Sequence, residues 1–275
     1  MNATPVGKLS PQKPYCYFKG PSERQSLELF LGGKVLPWLI EFGAVYVNHK
    51  RVVDPAFNVD PEDVIRVHTN PKRYNLDKEK IRSQITFQNE HFLVVNKPSG
   101  LPVHPTLDNL YENLLCAFEF PVYVTHRLDV PTSGLVVVAK TKMYQAVFNK
   151  LLLERKVSKV YEAQVEKFVA PGEYIHYMQK TVTAPKSFSH SDNGGLECRL
   201  IVHSCDKKEN NTFKLIIELL TGRTHQIRGQ LALEGAPIIG DEMYGGQPAV
   251  LFGLKATTLS FKCPFSGEQK YDLHF

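Results

Sequence analysis

A cation and a carboxylate stand directly before a strongly apolar run in HRLDVPTSGLVVVAK, residues 126–140. Residues 134–139 are mostly branched apolar side chains, a pattern that predicts a buried strand. Asp129 lies in the loop that enters this strand, and loops on a rigid scaffold are where proteins present reactive groups. Asp129 is therefore a candidate catalytic carboxylate. The simpler alternative is an ion pair between Arg127 and Asp129, or an aspartate that caps a turn.

A second polar cluster follows another apolar strand, in LLTGRTHQIRGQLALEG at residues 219–235. Arg223 and Arg228 lie at the junction between a predicted strand and a predicted helix, with His225 and Gln226 between them. Guanidinium groups bind carboxylates and phosphates through two parallel hydrogen bonds, so this junction can hold an anion. The alternative is a solvated basic turn, which so dense a polar cluster after an apolar strand disfavours.

Two further segments are functional candidates only because they accompany these two clusters. NKPSGLPVHP, residues 96–105, places a Pro-Ser-Gly turn after a strand, and by itself it predicts only a surface turn. KVYEAQV, residues 159–165, is an alternating strand in which Tyr161 shares a face with Lys159 and Ala163. A core tyrosine with a bonded hydroxyl is the common structural explanation for such a position.

The elements that must position these residues are mainly strands, from Ile85 onward. The strand-like runs are FLVVNK, GLVVVAK, KVYEAQVEKFV, LECRLIVHSC and TFKLIIELL. The clearest helical spacing is MYQAVFNKLLLER, residues 143–155. Because strands outnumber helices, residues 85–275 are predicted to form an α+β domain with a mixed, mainly antiparallel sheet.

The amino-terminal part of the chain has a different pattern. Residues 1–22 are polar and proline-bearing, and they are predicted to be a flexible tail. Residues 23–70 combine helical spacing, a hairpin turn at Asn48-His49 and a final strand, so they predict a small α+β domain. Residues 71–84 are polar and charged, and they are predicted to be a linker.

Composition restricts the class of protein. The 275 residues carry 33 Lys and Arg against 28 Asp and Glu, a formal net charge of +5 that is compatible with a polyanionic partner. The five cysteines form no C-x-x-C pair, so neither a disulfide framework nor a zinc site is predicted. No apolar run reaches the roughly 20 residues of a membrane span, and the first residues lack a secretory signal. We therefore expect a cytoplasmic protein without membrane association and, by default, a monomer.

The four segments together resemble the RluA-type family of RNA pseudouridine synthases. The resemblance is carried by HRLD-x-x-TSGL-x-x-x-AK, NKPSGL-x-VHP, the K-x-Y strand and GRTHQIR…GD-x-x-YG, and it covers residues 85–246. One departure is that GRTHQIR is usually followed by Val-His, where this chain has Gly229 and Gln230. Residues 23–70 resemble a degenerate form of the RNA-binding domain first known in ribosomal protein S four, with few cations in RQSLELFLGGKV.

The resemblance implies isomerisation of a uridine in ribosomal or transfer RNA, with no metal and no nucleotide cofactor. Asp129 is the implied catalytic carboxylate, which either attacks the sugar or uracil ring or removes a sugar proton. Arg223 is the implied cation that keeps Asp129 ionised. Tyr161 is the third implied catalytic residue, which stacks on the target uracil or accepts a proton. A phenol with a reference pKa near 10 is a weak base, which favours stacking.

The same resemblance implies an RNA-binding surface around this centre. Arg127 is expected to wedge into the gap that the flipped base leaves and to stack on exposed bases. The remaining residues expected to contact substrate or RNA are His126, Thr132, Ser133, Lys159, His225, Gln226 and Arg228.

Three alternatives remain open at this point. The first is a catalytically inactive RNA-binding protein on the same fold. The second is a two-carboxylate enzyme such as a glycoside hydrolase, which needs a second acid from Glu154, Glu162, Asp241 or Glu242. The third, a Ser-His-Asp hydrolase built from Ser133, His126 and Asp129, lacks the G-x-S-x-G turn.

Overall fold

The described residues of the computed structural model, 15–181, 184–263, 265 and 269–275, divide into two units. Unit 1 comprises Met1–Leu76 and His104–Cys116, and unit 2 comprises Asp77–Val103 and Ala117–Phe275. The first boundary falls inside the segment predicted to be a linker. The return of residues 104–116 to unit 1 has no counterpart in the sequence-based prediction.

Unit 1 is a small antiparallel sheet with two short helices. Its elements are β1 (Tyr15–Lys19), β2 (Gln25–Ser26), α1 (Leu27–Leu31), α2 (Trp38–Glu41), β3 (Val45–Val47), β4 (Lys50–Val52), β5 (Asn58–Val59) and β6 (Val64–His68). The main sheet has the order β1-β6-β3-β4, and β2 pairs with β5. The apolar residues of helices and strands form one core cluster that includes Leu27, Leu39 and Ile65.

Two local predictions in unit 1 have different outcomes. Asn48 and His49 have φ values of 46° and 67°, which is the left-handed pair that a tight hairpin needs, so the predicted β3–β4 hairpin is present. Residues 15–19 were expected in a flexible tail but form β1, because Tyr15 to Lys19 pair with His68 to Val64 of β6. Residues 1–14 of that predicted tail lie outside the described residues.

Unit 2 is built around one large sheet. Its elements are α3 (Lys78–Ser83), β7 (Ile85–Gln88), β8 (Phe92–Lys97), β9 (Tyr123–Val124), β10 (Ser133–Ala139), α4 (Lys142–Leu153), β11 (Val157–Val165), β12 (Gly172–Met178), β13 (Phe188–Ser189), β14 (Leu196–Lys207), β15 (Phe213–Leu219), α5 (Gln226–Leu233), β16 (Leu254–Cys263) and β17 (Gln269–His274). The helix α3 corrects the prediction that residues 71–84 are only a linker, since Asp77 caps a regular helix there.

The strand order of this sheet is β13-β12-β14-β15-β11-β16-β10-β8-β7, with β17 added to β16 and β9 to β10. The pairings are antiparallel except that of β10 with β16, which is parallel. The mixed, mainly antiparallel α+β architecture predicted from the sequence is therefore confirmed. None of the described helices is long and apolar enough to cross a membrane.

Helix α4 shows how the core supports β10. The Thr141 hydroxyl accepts a hydrogen bond from the Tyr144 amide at 3.1 Å, which caps the start of the helix. Tyr144, Phe148 and Leu151 recur at helical spacing, and all three are buried in one cluster with Leu135, Val137 and Ala139 of β10. The strand that follows Asp129 is thus fixed by packing on a helix.

Candidate active site

The loop that carries Asp129 is fixed where it enters β10. Gly134 has a φ of +113°, and a Cβ atom placed on it would lie 2.1 Å from the carbonyl oxygen of Ala256. Gly134 and Ala256 are paired residues at the point where β10 and β16 run parallel. Only glycine fits this close backbone approach, so Gly134 lets the Asp129 loop enter β10 directly beside β16.

The NKPSG segment holds the same loop from the other side. The Gly100 amide donates to the carbonyl of Val130 at 2.8 Å, and the Ser99 hydroxyl donates to the carbonyl of Pro131 at 2.6 Å. Both acceptors follow Asp129 within two residues. This segment is therefore a clamp on the Asp129 loop, and not the surface turn that it would predict in isolation.

Lys97, at the end of β8, is a site residue that the sequence analysis missed. Its side chain is fully buried, and Nζ donates to the carbonyls of Pro98 at 2.8 Å, Leu101 at 2.8 Å and Val130 at 3.2 Å. Burial lowers the pKa of Lys97 to about 7, and the negative charge of Asp129 acts in the opposite direction. A lysine that continues the apolar run FLVVN was the available signal.

Asp129 is paired with Arg228. The Nη1 atom of Arg228 lies 3.4 Å from Oδ2 of Asp129. The same guanidinium donates from Nε to Oδ2 of Asp241 at 2.7 Å and from Nη2 to Oδ1 at 2.8 Å, a two-pronged contact in which both residues are buried. Asp241 therefore fixes the orientation of Arg228, and Arg228 presents its remaining amino group to Asp129.

The predicted ion pair between Asp129 and Arg223 is wrong. The Arg223 side chain is exposed in the turn before α5, and its backbone amide donates to Oε1 of Gln226 at 3.0 Å. Helix α5 begins at Gln226, so Arg228 lies in its first turn on the inward side. Arg228, which was expected to bind RNA, takes the role that the sequence analysis gave to Arg223.

Tyr161 lies in β11 with a buried ring, and the predicted alternation holds because Ala163 is buried too. Burial raises the pKa of the Tyr161 phenol, and the negative charge of Asp129 raises it further. Asp129 is thus close enough to Tyr161 to influence its ionisation. The phenol remains protonated at neutral pH, so Tyr161 is not present there as a phenolate.

Two of the remaining predicted residues have their polar atoms bonded inside the protein. The ring Nε2 of His126 accepts the Val137 amide at 3.0 Å, and burial followed by the charge of Lys159 lowers its pKa to about 3. Gln226 is buried and binds Thr221, Arg199 and Gln230. Both side chains therefore bond to the scaffold in this structure, and their contact with RNA stays a prediction.

The other predicted residues differ in exposure and in position. Arg127 is exposed, whereas Thr132 is buried and its backbone amide donates to the carbonyl of Asp129 at 3.0 Å. Ser133 is half-buried at the first position of β10. Burial lowers the pKa of Lys159, whose Nζ lies 3.4 Å from where a Cβ on Gly222 would be. His225 approaches Asp129, with Nε2 4.0 Å from Oδ1.

Two alternative chemistries each find one of their candidate groups already bonded inside the protein. A two-carboxylate mechanism needs a second available acid, but both oxygens of Asp241 are bound by Arg228. A hydrolase needs a free imidazole nitrogen facing Ser133, but Nε2 of His126 is occupied by the backbone of β10. Among the described residues, Asp129 is the carboxylate at this centre that is half-buried and partly open to solvent.

One cluster of possible metal ligands lies outside this centre, formed by His176, His190 and Glu234. Gln230 Nε2 faces three acceptors, the carbonyls of Tyr174 and Cys198 and Nδ1 of His176. His176 therefore carries its proton on Nε2, which donates to Glu234 at 2.8 Å. Since a metal-bound histidine donates from its other nitrogen, this arrangement suits a hydrogen-bonded cluster better than a metal site.

Comparison with known proteins agrees with the geometry. A family model described as RNA pseudouridylate synthase matches residues 91–233. A relative from Vibrio parahaemolyticus, named dual-specificity RNA pseudouridine synthase RluA, is 34% identical over 67% of this chain and 79% of its own length. An uncharacterised RNA pseudouridine synthase of Mycoplasma pneumoniae is 33% identical over 82% of this chain and 79% of its own length.

Longer relatives and a solved structure complete the comparison. The chloroplastic RNA pseudouridine synthase 6 of Oryza sativa is 32% identical over 70% of this chain, but the match spans only 46% of that protein. The chain thus covers less than half the length of this plant relative. The structure titled human RNA pseudouridylate synthase domain containing 1 matches 74% of this chain and 86% of its own, with a TM-score of 0.58 and 22% identity. That similarity shows the fold.

Proposed function

We propose, since the chain belongs to the RNA pseudouridylate synthase family, that it isomerises specific uridines in structured ribosomal or transfer RNA to pseudouridine. The observation that carries the proposal is the position of Asp129, which lies in the loop before β10 within 3.4 Å of Arg228 and whose charge acts on Tyr161. The reaction cuts the bond between the sugar and a uracil nitrogen, turns the uracil and joins a ring carbon to the sugar. The hydrogen on that carbon leaves to water and the released nitrogen takes up a proton, so the product has the same composition as the uridine.

Asp129 supplies the carboxylate for this exchange. It either attacks the sugar or uracil ring or removes the sugar proton beside the anomeric carbon, and both steps require the ionised form. A cation near a partly buried carboxylate favours ionisation. The 3.4 Å contact with Arg228 supports this role. Because Asp241 already neutralises much of the Arg228 charge, Asp129 remains available to a substrate and is not locked in a strong ion pair.

Tyr161 contacts the target base by stacking. Its phenol is protonated at neutral pH because burial and the charge of Asp129 raise its pKa. A protonated phenol is a poor proton acceptor, whereas its ring face stacks on a flipped pyrimidine. Stacking orients the uracil over Asp129 while the ring is detached from the sugar.

Arg127 contacts the RNA around the flipped uridine. A uridine in folded RNA must be flipped out at a cost of a few kcal/mol, and the space it leaves needs an occupant. Arg127 is exposed two residues before Asp129, so it is positioned to contact the surrounding RNA while Asp129 contacts the flipped uridine. A cation and a carboxylate therefore stand together before β10 because Arg127 contacts the RNA and Asp129 contacts the uridine.

Unit 1 serves as an accessory RNA-binding domain of the S-four type. Its antiparallel sheet, hairpin and two short helices suit that assignment, and the few cations of its helical segment RQSLELFLGGKV suit a weak contribution to affinity. We further propose that the protein acts as a monomer in the cytoplasm, as its sequence predicts.

Release of tritium from RNA labelled at uridine C5 tests the activity directly, because carbon-linked isomerisation exchanges that hydrogen with water. Wild-type protein should release label from a mixture of unmodified ribosomal and transfer RNA transcripts, and Asp129→Asn should release none. Asp129→Asn should still bind these transcripts within about tenfold of wild type, a loss below about 1.4 kcal/mol. Binding without any release by the wild type would instead identify an inactive RNA-binding protein.

A further inference from the structure

The segment 184–190 lies between β12 and β14, outside every motif that the sequence singled out, and it docks on helix α5. Phe188 and Ser189 form β13, which pairs with Met178 and Tyr177 of β12. A Cβ atom placed on Gly229 would lie 2.0 Å from Cε2 of Phe188. The absence of a side chain at Gly229 therefore leaves the space that the Phe188 ring occupies. Gly229 is also one of the two positions at which this chain departs from the related motif.

The same segment makes a direct hydrogen bond to a residue of the Asp129 centre. The backbone amide of Lys186 donates to Oη of Tyr244 at 2.7 Å. Tyr244 packs its ring against the Arg228 guanidinium, whose carbon lies 5.1 Å from the ring centroid. Its hydroxyl lies 3.1 Å from Nδ1 of His225. One backbone amide thus begins a chain of contacts that ends at Asp129, because His225 Nε2 is 4.0 Å from Oδ1 of that residue.

The hydrogen bonds from Lys186 to Tyr244 and from Tyr244 to His225 each have one direction. A backbone amide only donates, so Oη of Tyr244 is an acceptor toward Lys186. The hydroxyl has one proton, and Nδ1 of His225 is the acceptor that this proton meets. A neutral imidazole that accepts at Nδ1 carries its proton on Nε2. The Nε2 proton then points toward the carboxylate of Asp129. With the proton on Nδ1 instead, the Nε2 lone pair would face the negative charge of Asp129, and the Tyr244 hydroxyl proton would have no acceptor.

The surroundings of His225 agree with a neutral ring. Burial lowers the pKa of His225, and the positive charges of Arg228 and Lys186 act in the same direction, against Asp129 and Asp241. His225 also has a φ of +56°, in the left-handed region, at the residue before α5. Its side chain makes no capping hydrogen bond to α5, and its two ring nitrogens instead approach Tyr244 and Asp129.

We propose that Tyr244 and the segment 184–190 are positioning elements of the Asp129 centre, which hold His225 as a neutral imidazole with its Nε2 proton directed at Asp129. Phe188 anchors the segment in the space left by Gly229, and Lys186 presents its amide to Tyr244. Asp129 is then flanked by a guanidinium on one oxygen and a neutral N–H donor near the other. The consequence for catalysis rests on the proposed function; the orientation of the histidine does not.

The tautomer of His225 can be read from the nitrogen chemical shifts of the imidazole in the full-length protein labelled with [¹⁵N]histidine. The His225 signals are identified by their loss in His225→Gln. At neutral pH the wild type should show a protonated Nε2 and an unprotonated Nδ1. Tyr244→Phe should convert His225 to a mixture of tautomers. Tyr174→Phe is the matched control, since that hydroxyl donates to the carbonyl of Ala170 and should leave His225 unchanged.

The anchor is tested with substitutions on both sides of the Phe188 contact. Phe188→Ala and Gly229→Ala should each produce the mixture of tautomers, because both release the segment. The double variant should be no more perturbed than Phe188→Ala alone, since the new methyl group occupies space that the ring has left.

Turnover provides a second readout, if the protein isomerises uridine. Tyr244→Phe should lower kcat about tenfold with little change in KM, because the variant retains the RNA-contacting residues and loses only an oriented donor near Asp129. A wild-type His225 protonated at Nδ1 or charged at neutral pH would overturn the proposal, whatever the activity. Unchanged tautomer and unchanged kcat in Tyr244→Phe would overturn it too. Absence of turnover in the wild type, together with the expected tautomer, would refute the proposed function alone.

Discussion

Arg228 is shared between two carboxylates, and its geometry explains why a lysine cannot replace it. Two of its nitrogens bind Asp241 and the third faces Asp129. A lysine offers one ammonium group, which cannot satisfy both carboxylates at these distances. We expect Arg228→Lys to lower kcat at least about 100-fold in the tritium-release assay, equivalent to about 2.7 kcal/mol of transition-state stabilisation.

The matched control for this substitution is Arg223→Lys. Arg223 is exposed, and the local hydrogen bonds that it makes with Gln226 use its backbone amide and carbonyl. The same change of side chain should therefore leave kcat within about threefold, or under 1 kcal/mol. If Arg223→Lys instead inactivated the protein while Arg228→Lys did not, the assignment of the cation to Arg228 would be wrong.

The misassignment between these two arginines has a physical origin. Both belong to GRTHQIR, and the sequence places both near a strand-to-helix junction. Which one faces inward depends on where the helix begins, and helix boundaries are uncertain by one or two residues even in structures. With α5 beginning at Gln226, Arg228 is in the first turn and Arg223 is left in the preceding exposed turn.

Tyr161 permits a prediction that separates stacking from proton transfer. Its phenol is protonated near neutral pH because burial and the charge of Asp129 raise its pKa, so the ring is expected to matter more than the hydroxyl. Tyr161→Phe should retain at least about tenfold more activity than Tyr161→Ala, since base–aromatic stacking is worth about 1–3 kcal/mol. Equal losses in the two variants would identify the hydroxyl as the functional group.

At the scale of elements, the loop after β8 and the loop before β10 are joined through Lys97. Three carbonyl oxygens from these loops accept hydrogen bonds from its buried Nζ. An ammonium group has three protons and matches them all, but burial opposes its charge and lowers the pKa to about 7. The junction between the two loops therefore depends on the protonation of one lysine.

This dependence predicts a pH effect on stability. Because the folded pKa of Lys97 lies below the unfolded value of about 10.4, the unfolded chain binds more protons between these values. The free energy of unfolding should then rise with pH from about 7 to 10, by at most about 1.4 kcal/mol per pH unit from this group, and the destabilising contribution is complete below pH 7. Urea unfolding of wild type and Lys97→Met from pH 6 to 9 measures it. A difference between the two proteins that stays constant over this range would contradict the expectation.

The strands themselves were predictable because local patterns determine them. Alternation and branched side chains marked β10, β11 and β15, and helical spacing marked α4. Pairing between distant strands was not predictable in the same way. The parallel contact of Gly134 with Ala256 joins residues far apart in sequence, and no local signal specifies that partner. The unusual φ of Gly134 becomes understandable only once β16 lies beside it.

At the scale of the whole molecule, the site is assembled from segments that the sequence alone keeps apart. Asp129 and Arg228 are 99 positions apart, yet they share one centre. The resemblance to a known family could bring these segments together, because that family carries the same motifs in the same order. The motifs do not specify which side chains contact one another. The placement of residues 104–116 with unit 1 was equally hidden, since their sequence resembles an ordinary loop of the larger domain.

The division into two units leads to a prediction about RNA affinity. Lys19 and Lys50 are exposed cations of unit 1. If this unit binds RNA weakly through phosphates, Lys19→Gln/Lys50→Gln should raise Kd by less than about tenfold and reduce the slope of log Kd against log salt by about 1 to 2. kcat should not change, because unit 2 contains the Asp129 centre. The control variant Lys167→Gln/Lys208→Gln removes two exposed cations of unit 2 and therefore has the same net charge as the unit 1 variant. Equal shifts in both variants would indicate a general charge effect and would argue against specific RNA contacts by unit 1.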